Sequence, residues 1–410
     1  MRVLRRDGAR LVLPGIASAH SHAFQRALRG RTERRARESG SFWSWRALMY
    51  ELAEKMTPED VRDLSRFAFV ELASCGVTAV GEFHYVHHDP SGAPYGERTV
   101  MADAVIEAAR DAGIRITLLR VLYERAGTGR PPEGAQRRFS DARVEDALAD
   151  VEALIARHAG DPRVRVGIAP HSVRAVTRDS IREASSFARA RALPLHAHVA
   201  EQRREIRECL AEHGRRPIEL LSEDGVLDGH FVGVHATHLT AHEARLYGAA
   251  RAFACVCRTT ERDLGDGLPD VAALVRAGAR FSVGADSHAS SDPFEEARAI
   301  ELDERSRAEA RHVAMEAPAL LAALTHEGYA SIGWSAEECA RDAVRLDADD
   351  ASLAGAPEDA LEDAVIFGAA TRAVREVEVD GVRIVENGRH VRYDAALAGY
   401  RRALARLGLG

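Results

Sequence analysis

Ile16-Ala17-Ser18-Ala19-His20-Ser21-His22 closes an apolar run that begins at Leu11, and the reading of this stretch decides the fold. Two histidines at i, i+2 on a strand point to one face. The arrangement recurs, because His198, His235 and Asp286 each stand at the end of an apolar run of their own. Neutral imidazoles with one carboxylate suit a borderline-soft divalent ion such as zinc. The expectation is a metal site gathered from separate strand ends.

Working outward, eight short runs rich in Val, Ile, Leu and Ala follow one another: Leu11 to His22, Val77 to Tyr85, Arg115 to Glu124, Val164 to Ser172, Leu193 to Glu201, Phe231 to His238, Phe253 to Thr260 and Arg280 to His288. Amphipathic stretches lie between them, among them Pro58 to Ser74, Glu97 to Ala112, Glu145 to Arg157, Arg178 to Arg191 and Ala241 to Ala250. Nearly continuous apolar runs are the mark of strands buried on both faces. Strand and helix in alternation predict an α/β fold, a (β/α)8 barrel of the TIM type, with its site at the C-terminal ends of the strands. Each suspected ligand falls late in its run, as that placement requires.

The barrel is expected over residues 13–345. Residues 1–12 with 346–393 are expected to form a small β-sandwich-like unit from both chain ends, reduced at its N-terminus, and residues 394–410 a C-terminal helix. Helical patterns cover Pro293 to Met315 and Pro318 to Ser331. Ala364 to Gly368 and Val374 to Val385 read as short strands, with hairpin turns at Asp380-Gly381 and Asn387-Gly388. Arg31 to Gly40 reads as an exposed loop beside the first strand.

Composition narrows the class. The 410 residues are 46% hydrophobic and 29% charged, ordinary for a soluble globular chain. No apolar stretch approaches the roughly 20 residues that span a bilayer, and no secretory h-region follows the charged N-terminus, so a cytoplasmic protein without a membrane segment is expected. Five cysteines are sparse and odd in number, which speaks for reduced thiols. Cys255 and Cys257 read as buried strand residues on one side. The net charge is -7 and the arginines form no basic stripe, so nucleic acid is not an expected partner.

A divalent ion on His20, His22, His198 and Asp286 lowers the pKa of a bound water to about 7, which supplies hydroxide to a hydrolase. Glu201, three positions after His198, is the natural general base. His235 is placed to polarise the electrophile or steady a tetrahedral intermediate, and Asp286 to relay a proton as well as ligate. Zinc is the expected ion; iron suits the same ligands, and availability decides between them.

With these residues on the page, the chain resembles the amidohydrolase superfamily, and within it the metal-dependent deaminases of the formimidoylglutamate deiminase group. The resemblance rests on H-S-H-A-F-Q-R (His20 to Arg26), F-W-S-W-R-A-L-M-Y (Phe42 to Tyr50), G-E-F-H-Y-V-H-H (Gly81 to His88), H-S-V-R-A-V (His171 to Val176), H-V-A-E-Q (His198 to Gln202), V-H-A-T-H-L-T (Val234 to Thr240), T-T-E-R-D-L-G-D-G (Thr259 to Gly267) and G-A-D-S-H (Gly284 to His288). It implies hydrolysis of N-formimidoyl-L-glutamate to N-formyl-L-glutamate and ammonia in histidine degradation, and a homodimer. Arg46 and Arg174 match the positions that contact carboxylate, as guanidinium forks do. Gln25, Tyr85 and His171 match other substrate contacts. Relatives with two metals bridge them with a carboxylated lysine on a central strand, whereas the single lysine here, Lys55, lies far from any such strand, so one ion is expected.

Two departures stand out: only nineteen residues precede His20, and Arg258 occupies a position where the group often has proline. That arginine reads either as a substrate contact or as a partner of Glu261. His84, His87 and His88 read as supports for Tyr85 or a ligand, and His238 and His288 as packing or supporting groups. An alternative activity is deamination of a heterocyclic base of the guanine kind, which calls for stacking aromatics and amides in place of Arg46 and Arg174. A non-catalytic barrel homologue would need a broken ligand set, and none of the six chemical residues is missing.

Overall fold

The computed structural model describes residues 4–33 and 42–410. Most of the Arg31 to Gly40 stretch lies outside the described residues. Strands β1 (Arg5–Asp7) and β2 (Arg10–Pro14) are followed by eight barrel strands: β3 (Ile16–Ser21), β4 (Val77–His84), β5 (Arg115–Leu122), β6 (Val164–Pro170), β7 (Leu195–Val199), β8 (Phe231–His235), β9 (Phe253–Val256) and β10 (Arg280–Val283). These eight are hydrogen-bonded in chain order, all parallel, from β3 to β10. Strands β4 and β5 are buried along their whole length, which is why they read as continuous apolar runs.

The barrel is nearly closed. Its last seam is a parallel bridge between Ser21 and Asp286, in which His22 N donates to Asp286 O and Asp286 N to His20 O. The backbone that completes the barrel is therefore the backbone of the expected ligands.

The other sheet is antiparallel, in the order β1-β2-β11-β12-β13-β14, where β11 is Ala343–Asp347, β12 Val374–Val379, β13 Val382–Glu386 and β14 Arg389–His390. Both chain ends contribute, as expected, but the unit is one six-stranded sheet and not a sandwich of two. Strand β2 reaches Pro14 and β11 starts at Ala343, so both straddle the edges anticipated at residues 12/13 and 345/346. The short N-terminal segment still supplies two strands. The C-terminal helix, Tyr393–Arg406, packs on the Pro58–Ser74 helix, with the Phe67 and Tyr400 rings 4.6 Å apart.

Several readings are corrected. The run from Leu11 to His22 is two strands in different sheets, because Gly15 turns the chain between them where a Cβ would meet Tyr329 Oη at 2.3 Å. The run from Phe253 to Thr260 is a strand only to Val256; Arg258–Leu264 is a helix. Ala364 to Gly368 belongs to the helix Leu361–Gly368, whose apolar residues sit at helical spacing against the helices of the Pro293–Leu324 region. The Pro293 helix stops at Ala308, and Pro318 to Ser331 is divided between Ala317–Leu324 and His326–Ser331. Among the described residues no helix is long and apolar enough to cross a membrane.

Candidate metal centre and substrate pocket

The strand ends bring His20, His22, His198 and Asp286 together. His20 Nε2 lies 3.2 Å from His198 Nε2 and 3.4 Å from Asp286 Oδ1, and His22 Nε2 lies 3.4 Å from the same Oδ1. His22 Nδ1 is 2.9 Å from Phe83 O and His198 Nδ1 3.2 Å from His171 O, contacts that only a protonated Nδ1 can make favourably. Their Nε2 lone pairs therefore face the common centre. Burial lowers the His22 imidazole to about 3 and pushes His20 and His198 down too, so all three are neutral ligands at ordinary pH.

Lone pairs aimed at one point repel one another unless a cation lies between them. A tetrahedral ion with ligands at about 2.0–2.2 Å separates neighbouring ligand atoms by about 3.3–3.6 Å, close to the spacings found here. The residues fit a divalent metal. Burial alone would raise the Asp286 carboxyl, but its hydrogen bond with His20 and the charge of His235 hold it well below the usual carboxylate range.

The backbone here is strained. Ala200, His235 and Asp286 have φ of 50°, 72° and 45°, a left-handed conformation that non-glycine residues adopt at some cost. Gly284 allows the closest approach: a Cβ there would lie 2.7 Å from His20 Cβ.

Around this centre stand His235 and Glu201, the groups expected to handle protons. His235 Nε2 is 3.9 Å from Glu201 Oε1 and 3.8 Å from Asp286 Oδ2. Burial raises Glu201, against the pull of His235. Burial works against a charged His235, but the Glu261 hydrogen bond and the charges of Glu201 and Asp286 outweigh it and raise this imidazole well above its ordinary value. Glu261 Oε1 takes the His235 Nδ1 contact at 3.2 Å and accepts from Cys257 N, while its Oε2 accepts from Arg258 Nη1 at 2.6 Å. Arg258 also grips Asp303 and is buried. Of its two readings, the partner of Glu261 is the one the structure bears out; Arg258 does not line the pocket.

The pocket opens beside the metal centre and is lined by all five expected contacts: Gln25, Arg46, Tyr85, His171 and Arg174. Gln25 Nε2 donates to Tyr85 Oη at 2.7 Å, and Gln25 Oε1 is buried without a hydrogen-bond partner. The His171 ring sits 4.8 Å from that of His198. Burial lowers the Arg46 guanidinium, with the charge of Arg174 adding to the effect. Burial works against the Arg174 guanidinium, but the neighbouring Tyr123 and the charges of Glu205 and Glu201 raise it. Sequence reasoning missed Tyr50, Tyr123, Phe139 and Thr260 on the pocket wall. The histidines after β4 face elsewhere: His87 and His88 bond to the carbonyls of Val121 and Ser140, and none of the three lines the pocket. His288 Nε2 lies 2.8 Å from Ser21 Oγ, behind the ligand strand.

Comparison with known proteins agrees with this geometry. Formimidoylglutamate deiminase of Pseudomonas aeruginosa is 37% identical over 396 residues, 92% of this chain and 85% of the relative. An amidohydrolase from Brucella melitensis is 34% identical, with a TM-score of 0.89 over 98% of this chain and 95% of that one. A zinc-bound adenosine deaminase from Xanthomonas campestris shares the fold at 21% identity, with a TM-score of 0.81 over 97% and 86% of the two chains. Residues 11–338, which hold every ligand and pocket residue described above, match the Amidohydrolase family, and the chain belongs to that family.

Proposed function

We propose that this protein hydrolyses the formimino group of N-formimidoyl-L-glutamate, releasing ammonia and leaving N-formyl-L-glutamate. The observation that carries the reading is a pair of guanidiniums, Arg46 and Arg174, on the wall of a pocket whose floor is the metal centre. The charge of Arg174 bears on Arg46, and a substrate carboxylate between them would offset that repulsion, as Glu205 and Glu201 already do in part at Arg174. A dianionic amino-acid derivative supplies that carboxylate. The 37% identical deiminase relative supports the same substrate.

His20, His22, His198 and Asp286 would hold one divalent ion, zinc by preference. Bound there, such an ion supplies a water with its pKa lowered to about 7. Glu201 takes one proton from the attacking water and then the second from the hydroxyl left on carbon, and hands both to the amidine nitrogen that leaves. The water oxygen forms a bond to the formimino carbon, the C–NH2 bond breaks, and the products are the formamide and NH3. His235, held by Glu261, turns Nε2 toward the site of attack and steadies the negative charge that develops on the attacking oxygen. Gln25 Oε1 accepts a substrate N–H, with Tyr85 fixing its amide. His171 walls the pocket and, through its carbonyl, orients His198. A place in histidine degradation, a cytoplasmic location and a homodimer go with this reading.

The test is ammonia release by zinc-loaded protein from N-formimidoyl-L-glutamate, beside N-formimidoyl-L-aspartate and guanine. Turnover of the formimino acids alone is the expected result. Release from guanine alone would assign the aromatic wall of Tyr50, Tyr85, Tyr123 and Phe139 to stacking a heterocycle and overturn the proposal.

A further inference from the structure

Gln136 lies outside every motif noted in the sequence, yet it joins two walls of the pocket. It sits in the short turn Gly134–Arg138 after β5 and is buried. Its Nε2 donates to Tyr123 Oη at 2.9 Å and to Tyr50 Oη at 3.2 Å, and its Oε1 accepts from Glu133 N at 3.1 Å. The backbone N–H of Glu133 fixes the amide one way round, because a flipped amide would set donor against donor. Both amide hydrogens are then spent on the two phenol oxygens.

A phenol that accepts a hydrogen bond keeps its own hydrogen to give. Tyr50 and Tyr123 each keep a hydrogen in this way, and neither hydrogen has an acceptor among the described residues. Both phenols line the cavity with Arg46 and Arg174. The Arg46 guanidinium carbon lies 5.3 Å from the centre of the Tyr50 ring.

The turn that carries Gln136 is itself anchored. Arg138 donates to the carbonyls of Ala53, Met56 and His88, which ties the turn to the helix Phe42–Lys55 that presents Arg46 and Tyr50. Ser140 Oγ donates to Gln136 O.

We infer that Gln136 is a positioning residue for the anion pocket: it turns a phenol hydrogen of the Tyr50–Tyr123 pair outward, so that a substrate carboxylate meets a neutral donor beside Arg46 and Arg174. The inference rests on the proposed acidic substrate and adds residues that set its affinity.

The substitution Gln136→Glu has nearly the same shape and reverses the polarity. A carboxylate at 136 accepts both phenol hydrogens, and the pocket then offers a substrate carboxylate phenol lone pairs and a nearby negative charge. KM for N-formimidoyl-L-glutamate should rise by about tenfold or more, with kcat changed far less. Gln136→Met should raise KM by a smaller factor. Binding of the product N-formyl-L-glutamate, followed by calorimetry, should weaken in step, while zinc content stays at the wild-type level.

The decisive comparison is Gln136→Met made in a Tyr50→Phe, Tyr123→Phe background. Acting through the phenols, Gln136 has nothing left to position there, and its substitution should cost little further affinity. An equal loss in both backgrounds would make Gln136 a packing residue and overturn the inference, as would unchanged KM in Gln136→Glu. Absence of turnover and of product binding in the wild type would overturn the substrate reading, and this inference with it.

Discussion

At the scale of single residues, the proposed reaction divides its work between Glu201, for proton transfer, and Arg174, for recognition. Burial raises the Glu201 carboxyl toward the pH at which a general base works best, and His235 limits the rise. Glu201→Gln keeps the shape, removes the proton acceptor and touches no ligand, so zinc content should hold while kcat falls by about 10²- to 10⁴-fold. Near-normal turnover would remove Glu201 from proton transfer. Arg174→Met should raise KM by about 10- to 100-fold, the worth of one charge-assisted contact, with metal content intact; unchanged kinetics would place the carboxylate elsewhere. These residues were legible because His, Glu, Asp and Arg at strand ends carry a chemical signature. Tyr50, Tyr123 and Gln136 carry none in the sequence: an aromatic or amide residue in a loop or helix reads as packing until neighbours from distant segments are seen around it.

Among the elements, the close contact of β3 and β10 and the short helix after β9 set the precision of the site. Gly284 follows β10 where any Cβ would press within 2.7 Å of His20 Cβ and 2.9 Å of Cys257 Sγ. Gly284→Ala must displace the ligand strand, and zinc affinity measured against a chelator should fall by about 10- to 100-fold, the usual cost of disturbing a ligand's support. Wild-type affinity would mean that the seam gives way without moving His20. The helix Arg258–Leu264 is pinned through Arg258 to Glu261 and to Asp303 on Pro293–Ala308. Arg258→Met takes a cation from the buried Glu261, which keeps His235 and Cys257 N, and from Asp303, which keeps Arg262, at a cost of about 3 kcal/mol, and should lower the melting temperature by several degrees. Barrel strands were legible because burial on both faces leaves a continuous apolar run. Their ends were not. In Leu11 to His22 the break depends on a contact between Gly15 and Tyr329, 314 residues apart in the chain, and in Phe253 to Thr260 the helix starts on capping and ion pairs that periodicity does not record.

The whole molecule buries ionisable groups of both kinds, and these give its stability a defined dependence on pH. Burial pushes Glu82 and Glu296 up to about 8 and Glu205 to about 7, from an ordinary value of 4.5. Above pH 4.5 the unfolded chain has released protons that the folded chain still holds at these sites, so stability falls as pH rises through 7 and 8. Histidines away from the ligands act in the opposite sense. Burial lowers His84 to about 3 and depresses His87 and His390, so below pH 6.5 the unfolded chain gains protons that the fold refuses, and stability falls as pH falls. Above 6.5 only the carboxylates act, below 4.5 only the histidines, and between those values they oppose each other. The melting temperature of protein held in chelator should therefore peak between about pH 4.5 and 6.5 and decline on both sides. Saturating zinc adds a contribution of about 2.7 kcal/mol when free metal is about a hundredfold above its dissociation constant, and because burial keeps the ligand imidazoles neutral at ordinary pH it should raise the melting temperature without moving the peak. A chelated protein whose melting temperature climbs steadily from pH 6.5 to 8 would show that Glu82, Glu205 and Glu296 are ionised in the fold.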